Sequence, residues 1–189
     1  KQRGLPLPSK FEEKELLEIL SSALSRNEVV AWFQGASEFG PRALGNRSFL
    51  ADPRDDSIRE ILNTKIKKRE LFRPFAPSCK IEVAKNFFEI DQESPYMNIV
   101  ANVRMDKRDI IPAVTHIDGT ARVHTVDQKT NPLYWKLIDA FEKKTGVGVI
   151  LNTSFNIQEP IVENPKQAID CFLRSSVEWL AIGSYLCDV

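Results

Sequence analysis

The chain has little of what staples or metallates a protein: 3 cysteines and 2 histidines in 189 residues. Cys79, Cys171 and Cys187 are odd in number and lack C-x-x-C spacing. That argues against a disulfide framework and against a zinc site, and it fits a reducing cytoplasm. Net charge is also lacking, since Lys+Arg and Asp+Glu both number 26. Without a bulk positive field, nucleic acid is a disfavoured partner. No apolar run approaches the ~20 residues that span a bilayer. Lys1 to Lys10 carries no apolar stretch of signal-peptide type. The expectation is a cytoplasmic chain with no membrane partner and no metal-ligand cluster of its own.

What is present is ordinary in bulk and unusual in its loops. Hydrophobic residues make up 42% and charged residues 28%, a globular balance at a length suited to one domain. Pro6 and Pro8 make residues 1–10 a lead-in or linker to a domain over 11–189. Ser9-Lys10-Phe11-Glu12 reads as a capping box for a helix through Ser25, with Leu16, Leu17, Leu20 and Leu24 on one face. Val29 to Phe33, Ser48 to Ala51, Met97 to Val103, Ala113 to Ile117, Ala121 to Val126, Val147 to Leu151 and Trp179 to Ile182 read as strands. A helix is expected around Ile58 to Ile66, and Asn131-Pro132 and Asn164-Pro165 each announce another. Arg73 to Pro77, with two prolines, reads as a rigid connector. The alternation predicts an α/β fold, or α+β, with a mixed sheet.

Three polar loops stand out, two of them carrying arginine. Gly35 to Ser48 holds Arg42 and Arg47 among three glycines, His116 to Arg122 holds a Gly-Thr turn, and Asn152 to Asn156 follows a buried run. Glycine allows backbone to approach an anion closely, and arginine supplies a two-pronged donor, so the loops suggest a phosphate cradle. The first loop is not a P-loop, and a surface turn with its arginines paired to Glu38 or Asp52 fits equally well. Lys65 to Arg73 is the strongest positive run; a solvated helix end accounts for it, though the rigid turn singles out Lys67 and Arg73 as phosphate contacts. Arg122 fits either a hairpin turn or a cleft-facing strand start. His116 is a candidate substrate contact, although a lone histidine at a strand end is more often structural than catalytic. Asn152, Ser154 and Asn156 sit where α/β folds display polar groups, with Ser154 and Asn156 on one side of an extended backbone. No Asp/His pair accompanies Ser154, so hydrogen bonding to phosphate or nucleotide is expected of it, not acyl-serine chemistry.

At these loops the sequence resembles the C-terminal domain of NodU/CmcH/TobZ-type O-carbamoyltransferases. Glu38-Phe39-Gly40-Pro41-Arg42-Ala43-Leu44-Gly45-Asn46-Arg47-Ser48, Ala51-Asp52-Pro53-Arg54 and Lys68-Arg69-Glu70 leading to Arg73-Pro74-Phe75-Ala76-Pro77 carry the resemblance. It continues through Thr115 to Val123 and Leu151 to Asn156, ending at Glu159-Pro160-Ile161-Val162. It implies a YrdC/Sua5-like single domain, a twisted mixed sheet flanked by helices, binding ATP with Mg2+ and carbamoyl phosphate. Such a domain makes carbamoyl adenylate, which a Kae1-like N-terminal domain or subunit, absent here, transfers to an acceptor hydroxyl. By resemblance, Lys67, Arg73 and Arg122 are the catalytic residues. The resemblance adds Ser154, Asn156 and Arg42 to the phosphate- and nucleotide-binding set, and the loop readings add Arg47, His116 and Asn152 to the substrate and ATP set. Two positions depart from the pattern: Ala36 stands where a basic residue is usual, and Asn156-Ile157-Gln158-Glu159-Pro160 lacks a glycine before Glu-Pro. These departures motivate an alternative, a non-catalytic nucleotide-binding or docking module that regulates a separate carbamoyltransferase subunit.

Overall fold

A strand, not a helix cap, forms at Ser9. The computed structural model describes Gly4 and residues 7–188, so Pro6 of the expected lead-in lies outside the described residues. In chain order come β1 (Ser9–Lys10), α1 (Glu13–Ser25), β2 (Val30–Phe33), β3 (Arg47–Ala51) and α2 (Ser57–Glu60), which continues as π-helical turns over Ile61–Ile66. Then follow β4 (Ala76–Lys80), α3 (Ala84–Phe87), β5 (Ile99–Asn102), β6 (Thr120–Val126) and α4 (Pro132–Thr145). The chain ends through β7 (Val149–Ser154), α5 (Pro165–Arg174), β8 (Trp179–Ile182) and β9 (Tyr185–Asp188).

The strands form one mixed sheet in the order β1-β9-β8-β2-β3-β7-β4-β6-β5. The β2/β8 and β4/β6 pairs are parallel and the others antiparallel. Helices α1 and α4 pack on one another and reach β2, β4 and β7, while α5 packs on β2 and β8. Trp32, Phe49, Tyr134, Phe141, Phe155 and Phe172 are fully buried between these elements. The four leucines of α1 face inward as their spacing predicts. All three cysteines are buried. Among the described residues, no helix is long and apolar enough to cross a membrane.

Local signals hold where the cap is a side chain acting on its own helix. Asn131 and Asn164 accept hydrogen bonds from the N–H groups of Tyr134 and Gln167, each ahead of a first-turn proline, and Gly146 closes α4 at φ 76°. The expected capping box fails because Ser9 pairs with Leu186 and Lys10 with Tyr185; α1 starts after Glu12 with no side-chain cap. The strand expected over Ala113 to Ile117 is instead a 3-10 turn at Pro112–Val114. Pro112 has no N–H for a ladder, and the Ala113 N–H is taken by Pro53 O at 3.1 Å. Arg73 to Pro77 is a connector only as far as Phe75, since Ala76 and Pro77 open β4. The ladder with β6 begins at Ser78, which leaves the missing N–H of Pro77 outside it.

Candidate active site

Adjacent strands β3, β7, β4 and β6 bring the polar loops to one cleft of about 700 Å3. That is the size of a small-molecule site. Arg42 and Ala43 line it from the loop before β3, Lys67 to Glu70 from the end of the π-helical turns, and Arg73 to Ala76 from the entry to β4. Arg122 contributes from β6, Asn152 to Ser154 from β7, and Asn156 to Gln158 from the loop beyond. Six cationic side chains thus face one carboxylate, Glu70. Asn152 to Ser154 belong to the strand itself, not to a loop after it, so the pleat puts Asn152 and Ser154 on one face.

Lys67 is placed by an irregularity in its helix. Its N–H bonds to Leu62 O at 2.7 Å, a π-type link that sets the next residues off the α-helical face. Asn63, buried behind it, donates to Leu71 O at 3.2 Å and Arg73 O at 3.0 Å, folding the basic run back over the cleft. The Lys67 ammonium, 2% exposed, donates to Ser154 Oγ at 3.1 Å, Asn156 O at 2.9 Å, Asn156 Oδ1 at 2.8 Å and the Ser154 carbonyl. Ser154 Oγ in turn donates to Asn156 Oδ1 at 2.7 Å. Lys67 therefore ties β7 and the following loop to the π-helical segment.

Burial, with the charge of Arg69 and to a lesser degree Arg73, brings the Lys67 pKa down to about 7. A phosphate in the cleft favours the charged form and raises that value. Binding of an anion at pH 8 should therefore take up a proton, and affinity should fall as pH rises above about 7. Titration calorimetry in buffers of different ionisation enthalpy reads the uptake, and Lys67→Met should abolish it.

The arginines are short of acceptors. No carboxylate forms a salt bridge with Arg42, Arg73 or Arg122 among the described residues. Arg122 stands opposite Val100 of β5 and is half-buried, and its Nε–H is buried without a hydrogen-bond partner. Burial, then the charge of Arg42, lowers its pKa. Arg69 donates from Nε to Asn63 Oδ1 at 2.7 Å and lies 4.8 Å over the Phe75 ring. Burial and Arg73 pull its pKa to about 10. Like charges gathered out of water destabilise one another, and an anion relieves both the repulsion and the desolvation.

Arg47 and His116 do not line the cleft. Arg47 starts β3 and turns back into its own loop, donating to Gln34 O at 2.6 Å and Gly35 O at 3.1 Å, 3.6 Å over the Phe33 ring. His116 shares a 3.2 Å contact with Thr120 Oγ1 inside the turn before β6. Neither loop arginine pairs as a surface turn would have it: Glu38 Oε1 accepts from the N–H groups of Leu44 at 2.7 Å and Asn46 at 2.8 Å, and Asp52 pairs with Arg54 at 2.6 Å. Arg69 also lines the cleft, and its only signal in the sequence is its place in the family-like segment Lys68-Arg69-Glu70.

A family model described as "Carbamoyltransferase C-terminus" matches residues 21–188. Nodulation protein NolNO of Sinorhizobium fredii is 53% identical over 84% of this chain and 24% of its own length. A 3'-hydroxymethylcephem-O-carbamoyltransferase of Amycolatopsis lactamdurans is 46% identical over 80% of this chain and 29% of its own length. The chain thus spans about a quarter to a third of the curated relatives it matches. In structure it resembles P. abyssi Sua5 complexed with L-threonine, at a TM-score of 0.68 and 15% identity over 93% of this chain and 48% of that one. That likeness establishes the expected YrdC/Sua5-like α/β fold. The chain belongs to the carbamoyltransferase C-terminus family.

Proposed function

We propose that this domain makes carbamoyl adenylate from ATP and carbamoyl phosphate, as the C-terminal part of an O-carbamoyltransferase. The observation that carries it is the cleft lined by Arg42, Arg73 and Arg122, none of which has a salt-bridge carboxylate among the described residues. Family membership turns a generic anion site toward carbamoyl transfer. Water cleaves carbamoyl phosphate to carbamate and phosphate. A carbamate oxygen then attacks the α-phosphorus of ATP, and the bond to the β-phosphate oxygen breaks to release pyrophosphate. Carbamate is already an anion, so this attack needs no general base. Negative charge grows on the nonbridging α-phosphate oxygens, where fixed guanidinium groups stabilise it more than they stabilise the ground state. Mg2+ enters on the nucleotide phosphates as part of the substrate. Lys67 holds Ser154 and Asn156 in place for hydrogen bonding to the ligand. Transfer to an acceptor hydroxyl falls to a Kae1-like domain or subunit. Pyrophosphate release that requires carbamoyl phosphate tests this reading.

A second reading, a nucleotide-binding or docking module without catalysis, is favoured by one contact. The Lys67 ammonium is already saturated by Ser154 and Asn156 and offers no spare proton to a phosphate. Nucleotide binding by calorimetry without pyrophosphate release would favour that module.

A further inference from the structure

From the floor of the cleft inward, three buried polar side chains, Asn152, Ser78 and His124, form a column, with Asn152 at the cleft end. Asn152, 1% exposed, donates from Nδ2 to Ala43 O at 2.9 Å and to Ser78 Oγ at 2.9 Å. Because the Ala43 carbonyl only accepts, the amide orientation is fixed. Ser78, on β4, meets His124 Nδ1 of β6 at 2.7 Å. His124 lies 6.2 Å from the Tyr134 ring at 21°, and burial pushes its pKa down to about 4. The ring is therefore neutral near pH 7, and with Nδ1 as the acceptor Ser78 donates to it and accepts from Asn152. Ala43 is the residue after Arg42, so the column ends on the backbone that carries a cleft arginine.

We infer that Ser78 and His124 are positioning residues that set Arg42 in the anion cleft, acting through the Asn152 amide and the Ala43 carbonyl. The inference rests on the anion-binding reading of the cleft. Buried polar groups are expensive to leave unpaired. Here the Asn152 Nδ2 bonds run toward the loop. Asn152 Oδ1 and the Tyr134 hydroxyl are buried without a partner, so the Nδ2 bonds alone tie the column to Ala43. Removing the Ser78 hydroxyl leaves an Asn152 N–H and His124 Nδ1 without partners, and the loop loses its fixed register.

A double-mutant cycle separates positioning from plain stability. Affinity of the chain for Mg·ATP and for carbamoyl phosphate is measured by calorimetry. Ser78→Ala is expected to weaken binding about ten-fold in the wild-type background, the scale of one or two lost hydrogen bonds. In an Arg42→Ala background the same change should weaken it less than about two-fold. His124→Phe keeps the ring against Tyr134 and removes the acceptor, so it should behave as Ser78→Ala does. His124→Asn, which offers an acceptor near the Nδ1 position, should restore most of the affinity. Equal losses in both backgrounds would overturn the inference, as would wild-type affinity in a folded Ser78→Ala protein. If the wild-type chain binds neither probe, the cleft reading itself fails and takes this inference with it.

Discussion

Arg122→Ala should cut carbamoyl-phosphate-dependent pyrophosphate release by about 10²–10³-fold, the scale of removing one preorganised charge-stabilising donor. The fold should survive. Arg122 is half-buried with an unpaired Nε–H and a like charge, Arg42, as its named electrostatic neighbour. Removing it takes away a desolvated, repelled cation, so thermal stability should hold or rise slightly. That combination of lost activity and preserved stability is the signature of a group held for a ligand and not for packing. A steady-state pyrophosphate assay beside a melting curve checks both halves. Unchanged turnover would remove Arg122 from the site.

Gly45→Ala should be the most damaging single methyl group in the first loop. Gly45 has φ +98°, and a Cβ there would lie 2.1 Å from the Tyr134 Cδ1 atom. Tyr134 is fully buried on α4, and the Gly45 carbonyl accepts from Trp32 Nε1 at 2.7 Å, so neither side can give way cheaply. Backbone strain and overpacking together should cost about 3–5 kcal/mol. Gly40→Ala is the control, because Gly40 has φ +122° but open space around it. Strain alone should cost about 1–3 kcal/mol there. Denaturant unfolding of the two variants measures the difference, and equal losses would show that Tyr134 is not the obstacle.

The elements legible in the sequence are those whose cause is local. Asn131-Pro132 and Asn164-Pro165 start helices because the cap acts within one turn. Ser9 to Glu12 presents an equally good pattern, yet Ser9 belongs to a strand because Leu186, at the far end of the chain, pairs with its backbone. Strand β9, which supplies that partner, is four residues long and carries too little pattern to be read alone. The same division runs through the site. Arg42 and Arg47 look alike in a glycine-rich loop, but β3 begins at Arg47 and its pairing with Phe33 turns the side chain away from the cleft. Arg69 is hidden in a basic run that reads as a solvated helix end. Only the π-helical turns and the Asn63 side chain show why that run folds over the cleft. The Ser78–His124 column was invisible for a simpler reason, since parallel strand pairing aligns two residues that sequence keeps far apart.

The most direct test mixes the chain with ATP, Mg2+ and carbamoyl phosphate and follows pyrophosphate and carbamoyl adenylate together. The cleft described here predicts that both appear, that omitting carbamoyl phosphate abolishes them, and that no acceptor alcohol is needed. ATP bound in the cleft with no pyrophosphate and no adenylate formed would contradict it.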